Sequence, residues 1–492
     1  MRLCVLFLLA ALLWAGSWSL AWAEDVVVVP HPTRVRLSGE VVELAGGEQM
    51  GLAGLGYDAL APFPWLPGAW VGLSGYGAAG GDRGGLFTLG VTLGWRARIV
   101  GPFGVEVGGY AGGGGGASAG QGDGLHLRGH AALTAQFAQA EIAVGVVHNR
   151  FHGGTIKDTG LGIALHFSDT LSVLGLGTAA PATVDTRSWT VAPLVSLYFS
   201  ADETGRSGAP LADSISLVGI GLERHLAAGW RLPVRLAGAA RGATGYMEVF
   251  SGLGWVGSGL IAPEFFLLAG AGGGGDVDTG GGILLRPEIG LGVGLGNSLH
   301  LRAAAGYTWA IDGDFSAPGA TLALAWTSTE WVQLGAGPGT LAASAVQADP
   351  WRMTIGGSRY SPRAGRDQGV SLISVLVDKP LLPWLVLTGR ARSALSDQAG
   401  GYSEGLLGAR VEWPLLAQHT LGLSGEIGAG GGGGIPIGTG AIAAVMGHWR
   451  WMPLPRWGMQ IGVGRLLALD GDLVTDIIEA GVVWSFARPL VR

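Results

Sequence analysis

Segments of about ten residues in which large apolar side chains alternate with small or polar ones recur along almost the whole chain. One face of "GLFTLGVTLGW" carries the large apolar residues, which are Phe87, Leu89, Val91, Leu93 and Trp95. Threonines and glycines occupy the other face. A period of two is the repeat of a β-strand. The pattern therefore predicts an all-β chain whose strands each have one apolar and one polar face.

The alternating segments are arranged in three copies, each marked by a run of glycines. The runs are "YAGGGGGA" at 110–117, "AGAGGGGD" at 269–276 and "GAGGGGGI" at 428–435, with similar alternating segments before and after each. Each copy contains about eight strand candidates, hence about 24 in all. We expect three barrel repeats at 24–170, 171–330 and 331–487, followed by a short C-terminal tail at 488–492.

The N-terminus has the pattern of a secretory signal peptide over residues 1–23. Arg2 precedes an apolar stretch, and Ala21-Trp22-Ala23 offers a cleavage site just before two acidic residues. The apolar stretch is too short to span a bilayer, so we expect cleavage near Ala23. The only cysteine, Cys4, lies inside this segment. A mature chain without thiols has neither disulfides nor Cys-ligated metals.

Composition limits how an exported chain of this kind can fold. Hydrophobic residues make up 48% and charged residues 13%, and mean hydropathy is +0.40. After the signal segment, no 18-residue stretch is apolar enough and glycine-poor enough for a membrane helix. Backbone groups in lipid must be satisfied internally, which leaves a closed transmembrane β-barrel as the alternative to helices. The net charge of −6 argues against a nucleic-acid surface.

Tryptophans recur at corresponding turns of the three copies. They follow the second or fourth strand of a copy, and they are Trp65, Trp95, Trp230, Trp255, Trp384 and Trp413. If the first strand starts in the periplasm, all these turns lie at one membrane interface. Aromatic residues are enriched there, so the six tryptophans are predicted to form an aromatic belt.

In its signal peptide, alternating strands, aromatic belt and last strand ending "VVWSF", the chain resembles bacterial outer-membrane β-barrel proteins. The likeness covers most of the mature chain and extends to no specific functional family. It implies a location in the bacterial outer membrane, with membrane lipid and the barrel-assembly machinery as partners. Such proteins often end on the final aromatic residue, whereas here Phe486 is followed by "ARPLVR".

The 24 predicted strands close either as one wide barrel or as three tandem eight-stranded barrels. Strands about 4.8 Å apart and tilted about 40° give a diameter of about 16 Å for eight strands and about 48 Å for 24. Many positions expected to face inward are Gly, Ala, Ser or Thr, which would leave voids in a narrow barrel. We therefore favour one barrel of about 24 strands and keep three small barrels as the alternative.

A wide barrel predicts a pore or export conduit, with a polymer such as polysaccharide as candidate cargo and a periplasmic export complex as candidate partner and gate. The residues expected to face the lumen are Arg128, Arg286, Glu288 and His126. Three small barrels instead predict a non-transporting surface protein with a structural or adhesin role.

Chemical motifs are weak in this sequence. No glycine run is followed by the Lys-Ser/Thr of a phosphate-binding loop, so we expect no nucleotide. His126 and His130 lie about 13 Å apart if they share a strand, too far for one metal. The chain has neither a GxSxG nor an HExxH motif. We expect no cofactor, metal or catalytic residue, and a hydrolase at a barrel rim ranks third among the functions.

Overall fold

The computed structural model describes residues 25–60, 65–138, 140–175, 179–296, 298–335, 337–361, 369–396 and 399–492. These residues form 25 β-strands and two short 3-10 helices, Ala227–Gly229 and Ala343–Ala345. All strand pairs in the sheets are antiparallel. Within the described ranges, no helix has the length and hydropathy needed to cross a membrane. The predicted signal peptide lies outside these ranges and stays a prediction.

The first eight strands form barrel 1, in which each strand pairs with the next and β1 pairs with β8. The strands are β1 (Asp25–Glu43), β2 (Gln49–Leu60), β3 (Ala69–Ala78), β4 (Phe87–Val100), β5 (Phe103–Gly115), β6 (His126–Phe137), β7 (Ala140–Phe151) and β8 (Lys157–Gly175).

The next eight strands form barrel 2, which is closed by pairing of β9 with β16. The strands are β9 (Val184–Phe199), β10 (Ser214–His225), β11 (Trp230–Arg241), β12 (Met247–Val256), β13 (Ile261–Gly273), β14 (Ile283–Gly294), β15 (Leu299–Ala310) and β16 (Ser316–Gln333). A short strand, β17 (Gly339–Ala342), then adds to the start of β1.

The last eight strands form barrel 3, which is closed by pairing of β18 with β25. The strands are β18 (Val346–Tyr360), β19 (Val370–Leu382), β20 (Leu385–Ala394), β21 (Ser403–Leu416), β22 (His419–Gly431), β23 (Ala441–Trp451), β24 (Trp457–Ala468) and β25 (Val474–Val491). Residues 488–491, expected to be a short tail, continue β25 and pair with β18.

The all-β fold of antiparallel barrels is confirmed, but the preference for one wide barrel is wrong. Register pairs such as Leu37 with Leu165 and Val195 with Leu322 close barrels 1 and 2 on themselves. Between barrels 2 and 3 the ladder is a single pair, Glu330 with Leu490. The chain therefore folds as the alternative, three tandem eight-stranded barrels.

Small inward residues did not require a wide lumen because they face large rings on neighbouring strands. A Cβ added to Gly94 would clash with the Trp70 ring, and one added to Gly254 would clash with the Phe266 ring. A glycine beside an aromatic residue fills a narrow interior as fully as two medium-sized side chains do. Counting inward residues one strand at a time overlooks this complementarity.

The three glycine runs join the barrels into a ring. Each run, together with the loop that follows it, meets the loop between the third and fourth strands of a neighbouring barrel. Gly84 N of barrel 1 donates to the Gly280 carbonyl of barrel 2 (2.9 Å), and Gly401 N of barrel 3 donates to Gly114 O of barrel 1 (3.1 Å). The Thr244 hydroxyl of barrel 2 donates to the carbonyl of Gly438 in barrel 3. One repeated head-to-tail contact thus closes after three units.

A second set of contacts joins the barrels at the opposite end, where the closing strands extend beyond the others. Arg187 of barrel 2 pairs with Asp169 of barrel 1 at 2.7 Å, and Arg488 of barrel 3 lies 3.4 Å from Glu330 of barrel 2. Arg456 of barrel 3 donates to the Leu174 carbonyl of barrel 1 (2.8 Å). We call this the terminal end and the glycine-run end the loop end.

Strand tilt explains why opposite strands of one barrel make the contacts at its two ends. Over a height of about 25 Å, a tilt of about 40° carries a strand about 21 Å around a circumference of about 50 Å, nearly half a turn. The fourth strand at the loop end and the first strand at the terminal end therefore face the same neighbours. Both contact zones lie on the side of each barrel that faces the other two.

Candidate functional site: barrel interiors and outer surface

Arginine–carboxylate pairs fill the interior of barrel 3. Arg390 donates to Glu426 (2.8 Å) and to Glu479, and Arg392 donates to Glu404 (2.6 Å) and Glu479 (3.1 Å). β20 and β25 are not neighbours in the sheet, so the two pairs with Glu479 cross the lumen. All five side chains are at most 5% exposed. The strands are thereby tied together through their centre, and the space that a solute would use is occupied.

A second layer of barrel 3 is organised around Glu412. This carboxylate accepts from Arg410 (3.0 Å), from both terminal nitrogens of Arg450 (2.7 and 2.9 Å) and from Arg352 (2.8 Å). Arg410 also donates to Asp378. Removing charges from water is costly unless each is paired, and here most polar atoms have a partner. Nη1 of Arg410 and Oδ1 of Asp378 are exceptions, being buried without a hydrogen bond.

Barrel 2 repeats the same chemistry with different residues. Arg302 donates to Glu264 from Nε and to Glu223 from Nη1, both at 2.7 Å. Its guanidinium carbon also lies 5.1 Å from the centroid of the Phe266 ring. The cation is therefore held by two carboxylates and an aromatic face. These side chains occupy part of the interior of barrel 2, as the ion pairs of barrel 3 do in theirs.

The structure buries the predicted lumen residues of copy two in this network. Arg286 donates to Glu248 at 2.9 Å, and Arg235 donates to Glu288 at 2.5 Å. Arg286 is 4% exposed and Glu288 is 2% exposed. Both residues face inward, and they contact carboxylate or guanidinium partners rather than an open lumen.

The predicted lumen residues of copy one lie inside barrel 1. Arg128 donates to Glu40 at 2.8 Å, and Asn149 donates to the same carboxylate at 2.9 Å. His126 Nε2 lies 2.9 Å from Asn149 Oδ1, and the His126 ring stacks on Phe151 with centroids 4.3 Å apart. His126 is thus a hydrogen-bonded core histidine. His148 lies on the opposite face of its strand and is exposed. The histidines of copy one are therefore not all brought together.

One group in barrel 1 has the composition of a metal site but already contains a cation. The ligand atoms of Glu106, Glu141 and His166 lie within 4.8 Å of one another. Arg34 Nη1 lies 2.5 Å from Glu106 Oε2, 3.1 Å from His166 Nδ1 and 3.9 Å from Glu141 Oε1. The guanidinium thus satisfies the acceptors that a metal would use. The donor set is explained without a metal ion.

Aromatic clusters cap the loop end of each barrel. In barrel 2 the rings of Tyr198 and Phe315 lie edge to face, 5.6 Å apart, with Tyr246 beside them. The corresponding pairs are Tyr76 with Tyr110 in barrel 1 and Tyr360 with Tyr402 in barrel 3. Each belongs to a buried apolar cluster. The ion pairs are therefore closed off from the loop end.

The interior of barrel 1 contains a small cavity. A cavity of about 20 Å³ in barrel 1 is lined by Arg128, His130, Glu106 and neighbours. This is room for about one water molecule. The larger cleft, about 590 Å³, is an open polar space between loops of barrels 1 and 2 and not an interior channel.

The outer surface is apolar and carries the predicted tryptophans. All six are exposed, with Trp65 most exposed at 76% and Trp255 least at 37%. Leucine, isoleucine, valine and phenylalanine are exposed along the strands, for example Leu161 (74%) and Ile289 (67%). Apolar residues outside and charged residues inside reverse the arrangement of a soluble barrel. This is the polarity of a transmembrane β-barrel.

Sequence reasoning missed the carboxylate partners. Glu40, Glu248, Glu404 and Glu479 hold the interior arginines, and each lies on a different strand from its partner. A signal was present, because each is a charged residue at the polar-face position of an otherwise apolar alternating segment. The sequence did not show which arginine each carboxylate would meet.

Comparison with known proteins gives only general likeness. No protein-family model matches the chain, and no curated protein does. It is similar to the structure of OccK11 (OpdR) from Pseudomonas aeruginosa, with 12% identity, 95% of this chain and 96% of that chain covered, and a TM-score of 0.22. For OccAB3 from Acinetobacter baumannii the identity is 8%, the coverage 95% and 100%, and the TM-score 0.23.

A further similar structure is a mutant of the ferric enterobactin receptor from Pseudomonas aeruginosa in complex with enterobactin. Its identity is 8%, the coverage is 95% of this chain and 82% of that chain, and the TM-score is 0.28. TM-scores this low carry no argument about function. The class follows from the structure itself, since closed antiparallel barrels, apolar outside and charged inside, with exposed tryptophans, are those of an outer-membrane β-barrel protein.

Proposed function

We propose that the chain is a non-conducting structural protein of the bacterial outer membrane, in which three fused barrels form a rigid anchor that presents its loop end to the exterior. The observation that carries this proposal is the filling of all three interiors by buried ion pairs capped by aromatic clusters. The closing strands and the glycine runs then hold the barrels side by side.

Energetics favour closed barrels. A solute crossing barrel 3 has to part Glu479 from Arg390 and Arg392, whose side chains are at most 5% exposed. Separating a buried pair so that one charge stays unpaired costs roughly 3–5 kcal/mol. Because several such layers lie along each barrel, spontaneous opening of a continuous path is rare.

Transport is the second candidate, and one observation favours it. The interiors are polar, and a few buried nitrogens lack partners, including Arg34 Nη2, His166 Nε2 and Arg410 Nη1. Such atoms are places where water can enter. On this account one barrel is a narrow conduit that a periplasmic partner opens. Passage of a polymer such as polysaccharide would require a wider opening than an eight-stranded barrel offers.

Conductance in planar bilayers separates the two candidates. We expect the wild-type protein to show no steps above those of a narrow eight-stranded barrel. A variant in which Arg302, Glu223 and Glu264 are all replaced by Ser removes the ion pairs that fill part of barrel 2, and its larger conductance would show that the assay detects an opened interior. Large, stable conductance from the wild-type protein would contradict the structural proposal.

The partners predicted from the sequence keep their roles in this proposal. The barrel-assembly machinery inserts the chain, membrane lipid surrounds it, and a periplasmic complex is required only by the transport candidate. Co-purification from membranes after crosslinking tests the last point. Enrichment of one periplasmic complex would favour transport, and its absence would favour the anchor.

A further inference from the structure

Two cations face each other at the loop end of barrel 1, on the outside of the wall. Arg150 of β7 is the register partner of Lys157 of β8, and both side chains are exposed. Along the same outward face lie the apolar residues Val146 (50% exposed) and Leu161 (74%). Like charges directly across an antiparallel pair destabilise it. A bound anion would therefore stabilise the pair.

The described part of the chain supplies no such anion. Among the described residues, no ion pair or hydrogen bond joins the side chain of Arg150 or Lys157 to a carboxylate. The outward-facing Glu43 of the adjoining strand β1 makes no ion pair with Lys157, and Asp158 accepts from the Glu43 backbone amide. On the same face, His148 lies 2.7 Å from the Thr159 hydroxyl. The two cations thus remain available to a ligand.

The other two barrels show that the arrangement is particular to barrel 1. The last register pair of the same hairpin is Trp309 with Ser316 in barrel 2 and Leu467 with Val474 in barrel 3. One step toward the membrane centre, barrel 3 places Arg465 opposite Asp476, and these two form an ion pair at 2.8 Å. At the equivalent positions, barrels 2 and 3 therefore carry either uncharged residues or an arginine paired with an aspartate.

The position selects the source of the anion. Arg150 lies four residues beyond Val146, about 13 Å along the strand, and its register partner on β6 is the exposed Leu127 (41%). The two cations therefore stand at the loop-end margin of the apolar surface. Long basic side chains at that margin extend from the apolar region into the headgroups. Each such cation increases the affinity for anionic lipid about fivefold. We propose that Arg150 and Lys157 bind the phosphate of an outer-leaflet lipid headgroup. This proposal rests on the anchoring function proposed above and adds a lipid-binding site to it.

The test uses the full mature chain in nanodiscs of phosphatidylcholine with spin-labelled phosphatidic acid as the phosphate-bearing probe. We expect the wild-type protein to retain phosphatidic acid in preference to labelled phosphatidylcholine. The double variant Arg150→Gln with Lys157→Gln should lose about 25-fold of this preference, because each of the two nearby cations contributes about fivefold. Arg465→Gln is the matched control, since it removes an exposed arginine that already has a partner.

Three results would overturn the inference. An unchanged lipid preference in the double variant would show that Arg150 and Lys157 do not bind the headgroup. An equal loss of preference in Arg465→Gln would show that the effect comes from the overall charge of the protein. Full displacement of the labelled lipid by millimolar inorganic phosphate would assign the cations to free phosphate. The wild-type conductance is independent of these outcomes, so failure here is distinguishable from failure of the anchoring proposal.

Discussion

Replacing Glu479 by Gln should destabilise barrel 3 while leaving barrels 1 and 2 folded. The Glu479 carboxylate accepts from Arg390, from Arg392 at 3.1 Å and from the Ser374 hydroxyl at 2.9 Å. Its side chain is 5% exposed. The substitution keeps the volume, so no cavity term is added, and it removes one negative charge from between two buried guanidinium groups.

The expected magnitude follows from what the two arginines retain. Arg390 still contacts Glu426, and Arg392 still contacts Glu404. Loss of one partner of a buried pair typically costs 3–5 kcal/mol when the remaining charge is fully uncompensated. Because each arginine keeps one carboxylate, we expect the lower end of this range, about 3 kcal/mol.

Pulse proteolysis across a urea series, with cleaved peptides mapped to 346–491, reports the unfolding of barrel 3 separately from the other barrels. The Glu479→Gln midpoint should fall, with the midpoints of barrels 1 and 2 unchanged. Glu48→Gln, which breaks a partly exposed loop pair with Arg83, is the control and should shift no midpoint, since ion pairs near the surface contribute little. An unshifted barrel 3 midpoint would refute the claim that the central ion pairs hold the barrel together.

Other predictions concern the contacts between barrels. A Cβ added to Gly113 would lie 2.6 Å from the carbonyl oxygens of Ser393 and Ala394 in barrel 3, whereas one added to Gly129 would meet nothing within 4 Å. After protease cleavage of the linkers, a smaller fraction of barrel 3 should co-purify with barrel 1 in Gly113→Val than in the wild type or in Gly129→Val, with the contacts of the terminal end retained in all three; equal fractions in all three would show that the glycine run contributes nothing to holding barrels 1 and 3 together. The hydrogen bond from Arg83 holds the pKa of Glu48 below its usual range. The stability that this ion pair gives to the loop is therefore complete above pH about 4.3, and it is lost as the pH falls through the lowered pKa of Glu48. Amide exchange at 79–86 should be faster in Glu48→Gln than in the wild type at pH 7, and the difference should vanish at low pH; a difference that persists would assign the protection to other contacts.

The fold class was predictable because alternation and repetition are local signals. Period-two segments such as the one from Phe87 to Trp95 gave the strands, and the recurring tryptophans gave positions at turns that the structure exposes. Closure was not predictable in this way. Whether β8 pairs with β1 or with β9 depends on contacts between residues more than 100 positions apart, as in Leu37 with Leu165. Neither choice alters the local pattern.

The interior was misjudged for a related reason. Gly94 and Gly254 indicate voids when a strand is considered alone, and they become fillers when Trp70 and Phe266 are placed beside them. The glycine runs were likewise visible but unexplained. Their role depends on a neighbouring barrel approaching Gly114 closely enough for a backbone hydrogen bond, which no single copy of the repeat shows.

Disulfide trapping of the closing strands tests the central claim most directly, because Cys4 is the only native cysteine. Cysteines replacing Leu37 and Leu165, or Val195 and Leu322, lie on register partners of the closing strands, within the separation that a disulfide bridges. We predict efficient oxidation of both pairs in the folded protein and none between Leu165→Cys and Val195→Cys. Crosslinking of that last pair, with failure of the first two, would show one continuous barrel and contradict the account.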